Sequence, residues 1–282
     1  MKRWFAAWVL FVIGASVCAA QPNAAAQKLW YRQPAVKWEE ALPIGNGRLG
    51  AMVFGGVAEE RLQLNEDTIW AGEKRDRNNP NGAKAIPEVR RFLMAGKVKE
   101  AEELADKNII SMPRRMPPYQ PLGDLKLRFI GQDNASDYRR ELDLDAGMAR
   151  VTYKVGATNF TREVFASAPD QAIVMRLTAD KPGRISFAAT MTREANVMML
   201  LVSGRRIAFA GEAIVRDGRH PDERKVGVKF HALLEALPEG GKVRVEGNDL
   251  IVENANAVTL LLVAATNLKE KDPAAKCEQY LA

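Results

Sequence analysis

The sequence predicts a mainly β chain: a large antiparallel β sandwich with a short helical insertion, and a further helix beginning near its C-terminus. Three observations predict it. From Leu125 onward, run after run of apolar residues alternates with polar ones at period two. Each run closes in turn-forming residues. Only one stretch, Asn81 to Asn108, carries helical spacing. The chain has 282 residues, 47% of them hydrophobic, which is enough for a sizeable core.

The N-terminus reads "MKRWFAAWVLFVIGASVCAAQPNAAAQ". Lys2 and Arg3 precede an apolar run from Trp4 to Val17, and small residues follow, with cleavage expected after Ala19, Ala20 or Ala26. This is the pattern of a secretory signal peptide, and residues 1–26 are assigned to it and to a loose segment behind it. The run is too short for a spanning helix, so no membrane association is expected after cleavage. Val17 is bulky for the position before a lipidated cysteine, which argues against an anchor on Cys18.

Two short strands are predicted from Arg48 ("RLGAMVFGGV") and Glu60 ("ERLQLNEDTIW"). Ile86, Val89 and Leu93 then fall at helical spacing. Gly96 stops that pattern, and Val98, Ala101, Leu104 and Ala105 resume it, so two helices joined at Gly96 are expected. "SMPRRMPPYQPLGD", from Ser111, is a proline-punctuated crossing loop. Alternation follows at Ala149–Val155, Ile173–Leu177, Ile185–Ala189 and Val228–Leu234, with turns at Asp145, Asp180, Pro238 and Glu246. The last turn, "EGND", joins "VRV" to "LIV" as a tight hairpin. Val258, Leu260, Leu262 and Ala264 have apolar neighbours as well, so this strand is expected to be central and covered on both faces. Asp272 before Pro273 signals a helix start. The sandwich is therefore placed at 27–268 and the start of a linker helix at 269–282.

Composition excludes several functions. Removing Lys2 and Arg3 takes the formal net charge of +6 to +4, and the basic residues are interspersed with acids, so a solvated mixed surface is expected rather than nucleic-acid binding. Of two cysteines, Cys18 leaves with the signal. Cys277 alone can build neither a disulfide framework nor a cysteine metal site. The two histidines, His220 in a loop and His231 in a strand, lack the neighbours of a ligand set or triad. No metal or cofactor is implied.

"EALPIGNGRLGAMVFGG" spells G-x-G-x-x-G in Gly45, Gly47 and Gly50, with Asp67 downstream. A dinucleotide loop needs a strand before it and a helix after it, whereas here Pro43 precedes and a strand-like run follows. Glycines at a tight turn feeding a strand explain the spelling better. The carboxylate pairs Glu39-Glu40, Glu66-Asp67 and Asp143 with Asp145 are not distinguished by spacing as an acid and base for glycoside cleavage. "QLNEDTIWAG" concentrates amide, acid, hydroxyl and indole at a strand end. Two readings stand: a sugar contact, with Trp70 offering a ring face, or a structural turn in which Asn65 and Asp67 cap backbone and Trp70 fills the core. Asn134-Ala135-Ser136 and Asn159-Phe160-Thr161 are glycosylation sequons.

"LWYRQPAVKWEEALPIGNGRLGAMVFGGVAEERLQLNEDTIWAG" resembles the N-terminal signature of glycoside hydrolase family 95, the inverting α-L-fucosidases. "YQPLGDLKLRF", "YRRELDLDAGMARVTY", "FTREVFASAPDQAIVMRL" and "NAVTLLLVAATN" are similar too, in the same order, from Leu29 to Ala282. The resemblance implies an N-terminal β super-sandwich packed on an (α/α)6 barrel through a helical linker. That barrel would hold the catalytic residues and the fucosylated oligosaccharide. It would lie outside this chain, so no catalytic residue is carried over here. By the same analogy, Asn46, Arg48, Asn65, Glu66 and Trp70 would rim the substrate pocket. A secreted or periplasmic protein of carbohydrate metabolism is expected. The alternatives are a free-standing carbohydrate-binding or scaffolding sandwich, and a relative acting on α-L-galactosides.

Overall fold

The computed structural model describes residues 27–112, 114–215 and 226–282. The predicted signal peptide and His220 lie outside the described residues. In chain order the elements are β1 (Lys28–Tyr31), a 3-10 turn at Trp38–Glu40, β2 (Leu42–Gly45), β3 (Leu49–Val53), β4 (Glu59–Glu66), α1 (Gly82–Met94) and α2 (Val98–Asn108). There follow β5 (Gly123–Phe129), β6 (Ala135–Asp143), β7 (Met148–Val155), β8 (Thr158–Ser167), β9 (Ala172–Ala179) and β10 (Ile185–Thr192). The last are β11 (Val197–Ser203), β12 (Arg206–Glu212), β13 (Lys229–Glu239), β14 (Lys242–Glu246), β15 (Asp249–Ala255), β16 (Ala257–Thr266) and α3 (Pro273–Leu281).

The strands form two antiparallel sheets, ordered β1-β6-β7-β8-β9-β16-β13-β12-β11 and β14-β15-β10-β5-β4-β3-β2. The period-two alternation has the consequence expected of it. Val151, Val164, Met175, Leu260, Leu234 and Phe209 of the first sheet share one buried core with Leu62, Leu64, Leu125, Leu127, Phe187 and Leu250 of the second. The molecule is the mainly β, large antiparallel sandwich that the sequence predicts.

β16 lies between β9 and β13, and both of its faces are covered, as its doubly apolar pattern requires. One face enters the main core. The other presents Val263 and Ala265, which with Ala172 and Leu233 form a second cluster around Cys277 of α3. Asp272 caps α3, its Oδ1 accepting from Ala275 N at 3.0 Å, and Pro273 occupies the first turn. The helix lies back across β13 and β16.

α1 and α2 form the expected helical pair, broken at Gly96 with φ of 72°. Ala101 is the one buried side chain among the described residues of the pair, so the pair stands off the sandwich. The alternation does not predict β1, whose register on β6 is supported by Lys28 bonding Glu141 at 3.0 Å and Asp143 at 3.2 Å. It also misses β11, an edge strand with little buried surface.

Candidate functional site

The G-x-G-x-x-G spelling lies in the β2–β3 hairpin, with no helix after it. Gly47 takes the positive φ of the turn, 92°. Gly45 and Gly50 pair directly across the two strands without a positive φ. Asn46 Oδ1 accepts from Arg48 N at 3.0 Å and Leu49 N at 2.8 Å, closing the turn as an Asx motif. Its Nδ2 donates to Ser167 O at 2.8 Å, which fixes the turn to the end of β8.

Arg48 then reaches across to the other sheet. Nη1 donates to Ala264 O at 2.7 Å, Nε to Gln171 Oε1 at 2.6 Å, and Nη2 to Gln171 O at 3.2 Å. The guanidinium stands over the Tyr280 ring at 5.3 Å, so one side chain joins the hairpin to β16 and α3. Its ion-pair partner Glu66, at 3.4 Å, is only 1% exposed. Glu66 Oε2 accepts from Thr68 N at 2.8 Å and Thr68 Oγ1 at 2.6 Å, and the Thr68 hydroxyl in turn bonds Thr266 at 2.5 Å. With both oxygens occupied inside the protein, Glu66 positions the strand end.

Asn65 and Trp70 face solvent. Trp70 is 41% exposed, so it does not fill the core as the structural-turn reading has it. It packs edge-on against Tyr119 with ring centroids 5.2 Å apart and planes at 64°. The Tyr119 hydroxyl lies 2.5 Å from both Asn65 Oδ1 and Glu66 O, with its single proton shared between the two acceptors. Burial, the largest influence on this phenol, pushes its pKa up to about 12, so it stays neutral at any working pH. The five predicted residues therefore form one connected chain in two parts: Asn46, Arg48 and Glu66 hold the sheets together, while Asn65 and Trp70 are presented outward on Tyr119.

Sequence reading missed Tyr119. It sits in the proline-punctuated crossing loop, where a β-bridge to Trp70 holds it. The adjacent Pro117 and Pro118 were the available signal for a stiff, presented loop. Asp67, the acid of the coincidental fingerprint, pairs with Lys269 at 3.3 Å on the surface. His231 lies half-buried on β13, where burial lowers its pKa, and it joins no ligand set. Among the described residues no group of three or more His, Cys, Asp or Glu side chains is placed to hold a metal ion. No described helix is long and apolar enough to cross a membrane.

Two grooves open on the outer face of the seven-stranded sheet. One, of about 840 Å³, is lined by Arg61, Gln63, Asp124, Arg193 and Asn196 among others. The other, of about 450 Å³, runs over β2, β3 and β4 beside Asn65 and Tyr119.

Comparison with known proteins agrees with this architecture. Residues 29–271 match the family described as glycosyl hydrolase family 65, N-terminal domain. Alpha-L-fucosidase 2 of Arabidopsis thaliana is 37% identical over 276 residues, covering 89% of this chain and 32% of that protein. Probable alpha-fucosidase A of Aspergillus niger is 33% identical over 180 residues, covering 59% of this chain and 22% of that protein. The corresponding protein of Aspergillus oryzae is 31% identical over 166 residues, covering 55% and 22% respectively. The chain thus spans about a third or less of the length of these relatives. The match across nearly all of the sandwich places this chain in the glycosyl hydrolase family 65 N-terminal domain family.

Proposed function

We propose that this chain is the N-terminal β super-sandwich of a secreted or periplasmic α-L-fucosidase of glycoside hydrolase family 95, acting with inversion on terminal α-L-fucosyl linkages. The observation that carries the reading is the 37% identity to Alpha-L-fucosidase 2 across 89% of the chain. The hydrolytic carboxylates, and the main site for the fucosylated oligosaccharide, belong on this reading to a barrel outside the chain. The sandwich packs on that barrel and lends its outward-facing residues to the pocket rim.

On this reading the rim residues take two roles. Asn65 and Trp70 are available to a sugar, with amide and ring face toward solvent. Asn46, Arg48 and Glu66 serve the rim by holding the hairpin and strand end in place. The purified chain is expected to show no turnover of a fucosyl-α-1,2-galactose substrate, and measurable hydrolysis would overturn that. In a longer protein that includes the barrel, Asn65→Ala and Trp70→Ala are expected to raise KM for the fucoside more than they change kcat. An unchanged KM in both variants would remove the rim assignment. Faster hydrolysis of an α-L-galactoside than of the matching fucoside would favour the alternative substrate.

A further inference from the structure

The 450 Å³ groove on β2–β4 shares Asn65 and Tyr119 with the rim assignment and adds Trp38, Gln63 and the Gly50 floor, which that assignment does not use. Its floor is bare. Outward positions on β2 and β3 are Pro43, Gly45, Gly50 and Met52, with Gly45 opposite Gly50 and Pro43 opposite Met52. Neither Gly45 nor Gly50 has a positive φ, so backbone conformation does not demand glycine at either position. A Cβ on Gly50 would stand 3.2 Å from Ile44 O, which is tight, and it would fill the depression.

The walls are an indole, a phenol and two amides. Trp38 stands 54% exposed on a rigid mount. Glu40 Oε2 accepts from Val36 N at 2.8 Å and Lys37 N at 3.2 Å, and Arg140 Nη1 donates to Glu40 O at 2.6 Å from beneath. Tyr119 and Asn65 form the opposite wall, and Gln63, outward on β4, lies between. The Gln63 amide and Asn65 Nδ2 have no hydrogen-bond partner among the described residues, although both line the groove. Among the described residues no Asp, Glu, Lys or Arg lines it. An occupant is therefore uncharged, has an apolar face for the rings, and has hydroxyls for the amides.

We propose that this groove is a second carbohydrate site, carried wholly by this chain, in which a neutral pyranose lies on the floor at Gly50 and Met52 against Trp38 and Tyr119 and hydrogen-bonds to Gln63 and Asn65. The choice of a fucosylated probe rests on the functional reading above, while the site itself rests on the groove.

The test is titration of the purified chain with a fucosyl-α-1,2-galactose oligosaccharide, read by tryptophan fluorescence and by saturation-transfer NMR, with a uronic-acid-terminated oligosaccharide as comparator. Saturable binding of the neutral sugar in about the millimolar range is expected, with at least about tenfold weaker binding of the charged one. Trp38→Ala and Gln63→Ala should each weaken neutral-sugar binding about tenfold or more. Trp30→Ala, an exposed tryptophan on β1 of the other sheet, should leave it unchanged. Near-UV circular dichroism checks folding, and Gly50→Ala, which fills the floor without removing a contact, gives an independent loss. The proposal is overturned by no saturable response, by equal binding of both probes, or by undiminished binding in Trp38→Ala and Gln63→Ala. An absent response would assign the groove to packing against another protein segment. Binding by this chain together with failure of the longer protein to cleave fucosides would leave the site standing and remove the fucosidase reading.

Discussion

Arg162 and Glu60 are charged residues that the fold takes out of water, with side chains 2% and 0% exposed. Arg162 Nη1 donates to Gly56 O at 2.5 Å and approaches Glu60 Oε2 at 3.4 Å. Nη2 donates to Val57 O at 2.6 Å and to the Tyr153 hydroxyl at 2.5 Å. The guanidinium also lies 3.7 Å above the Phe129 ring. Glu60 Oε1 accepts from Gly55 N at 2.7 Å, so the pair braces the β3–β4 turn against β7 and β8. Removing one partner leaves the other buried and uncompensated. Arg162→Met is expected to cost about 3–5 kcal/mol, read from urea unfolding. Adding Glu60→Gln should recover a large part of that loss, and purely additive losses would count against the pairing.

At the scale of the element, α3 shows how a short helix is held. Nine residues are too few for a stable isolated helix, so its order comes from docking. Cys277 enters the Ala172, Leu233, Val263 and Ala265 cluster, and its thiol donates to His231 O at 3.3 Å. Burial pushes this thiol up to about 12, leaving little thiolate at neutral pH. Alkylation of Cys277 at pH 8, followed by peptide mapping, is expected to be slower by at least about two orders of magnitude than in denaturant. Rapid labelling of the native chain would show that α3 undocks readily. The α1–α2 pair is the contrast: its spacing was legible, but Ile86, Leu93, Met94 and Val98 stay exposed and only Ala101 is buried.

Across the whole molecule, the two sheets differ in how their edges end. β11 closes the nine-stranded sheet with Val197, Met198, Met199 and Leu201 exposed and no covering element among the described residues. An apolar, unpaired edge of this kind is a template for strand pairing. Concentrated chain is expected to self-associate in sedimentation velocity, and Met199→Lys with Leu201→Lys to suppress that without lowering Tm. Association undiminished by the double variant would place the contact elsewhere. Much of this organisation was legible in sequence. Period two named β7, β9, β10, β13 and β16 but not β8, β11 or β12, and the glycine turn, the helix break at Gly96 and the cap at Asp272 were readable because each depends on neighbours close in the chain. Residues that act across the fold were not. Tyr119 meets Trp70, Arg140 supports the Trp38 turn, and Arg162 finds Glu60 only after the sheets stack. The sequence by itself determined a large antiparallel β sandwich, since alternation and local turn chemistry act over a few residues, and its motif blocks carried the resemblance to a glycoside hydrolase lineage. Only the tertiary structure decided that Arg48 and Glu66 are internal braces while Asn65, Trp70 and Trp38 face water, because burial of a side chain depends on which distant strand lies over it.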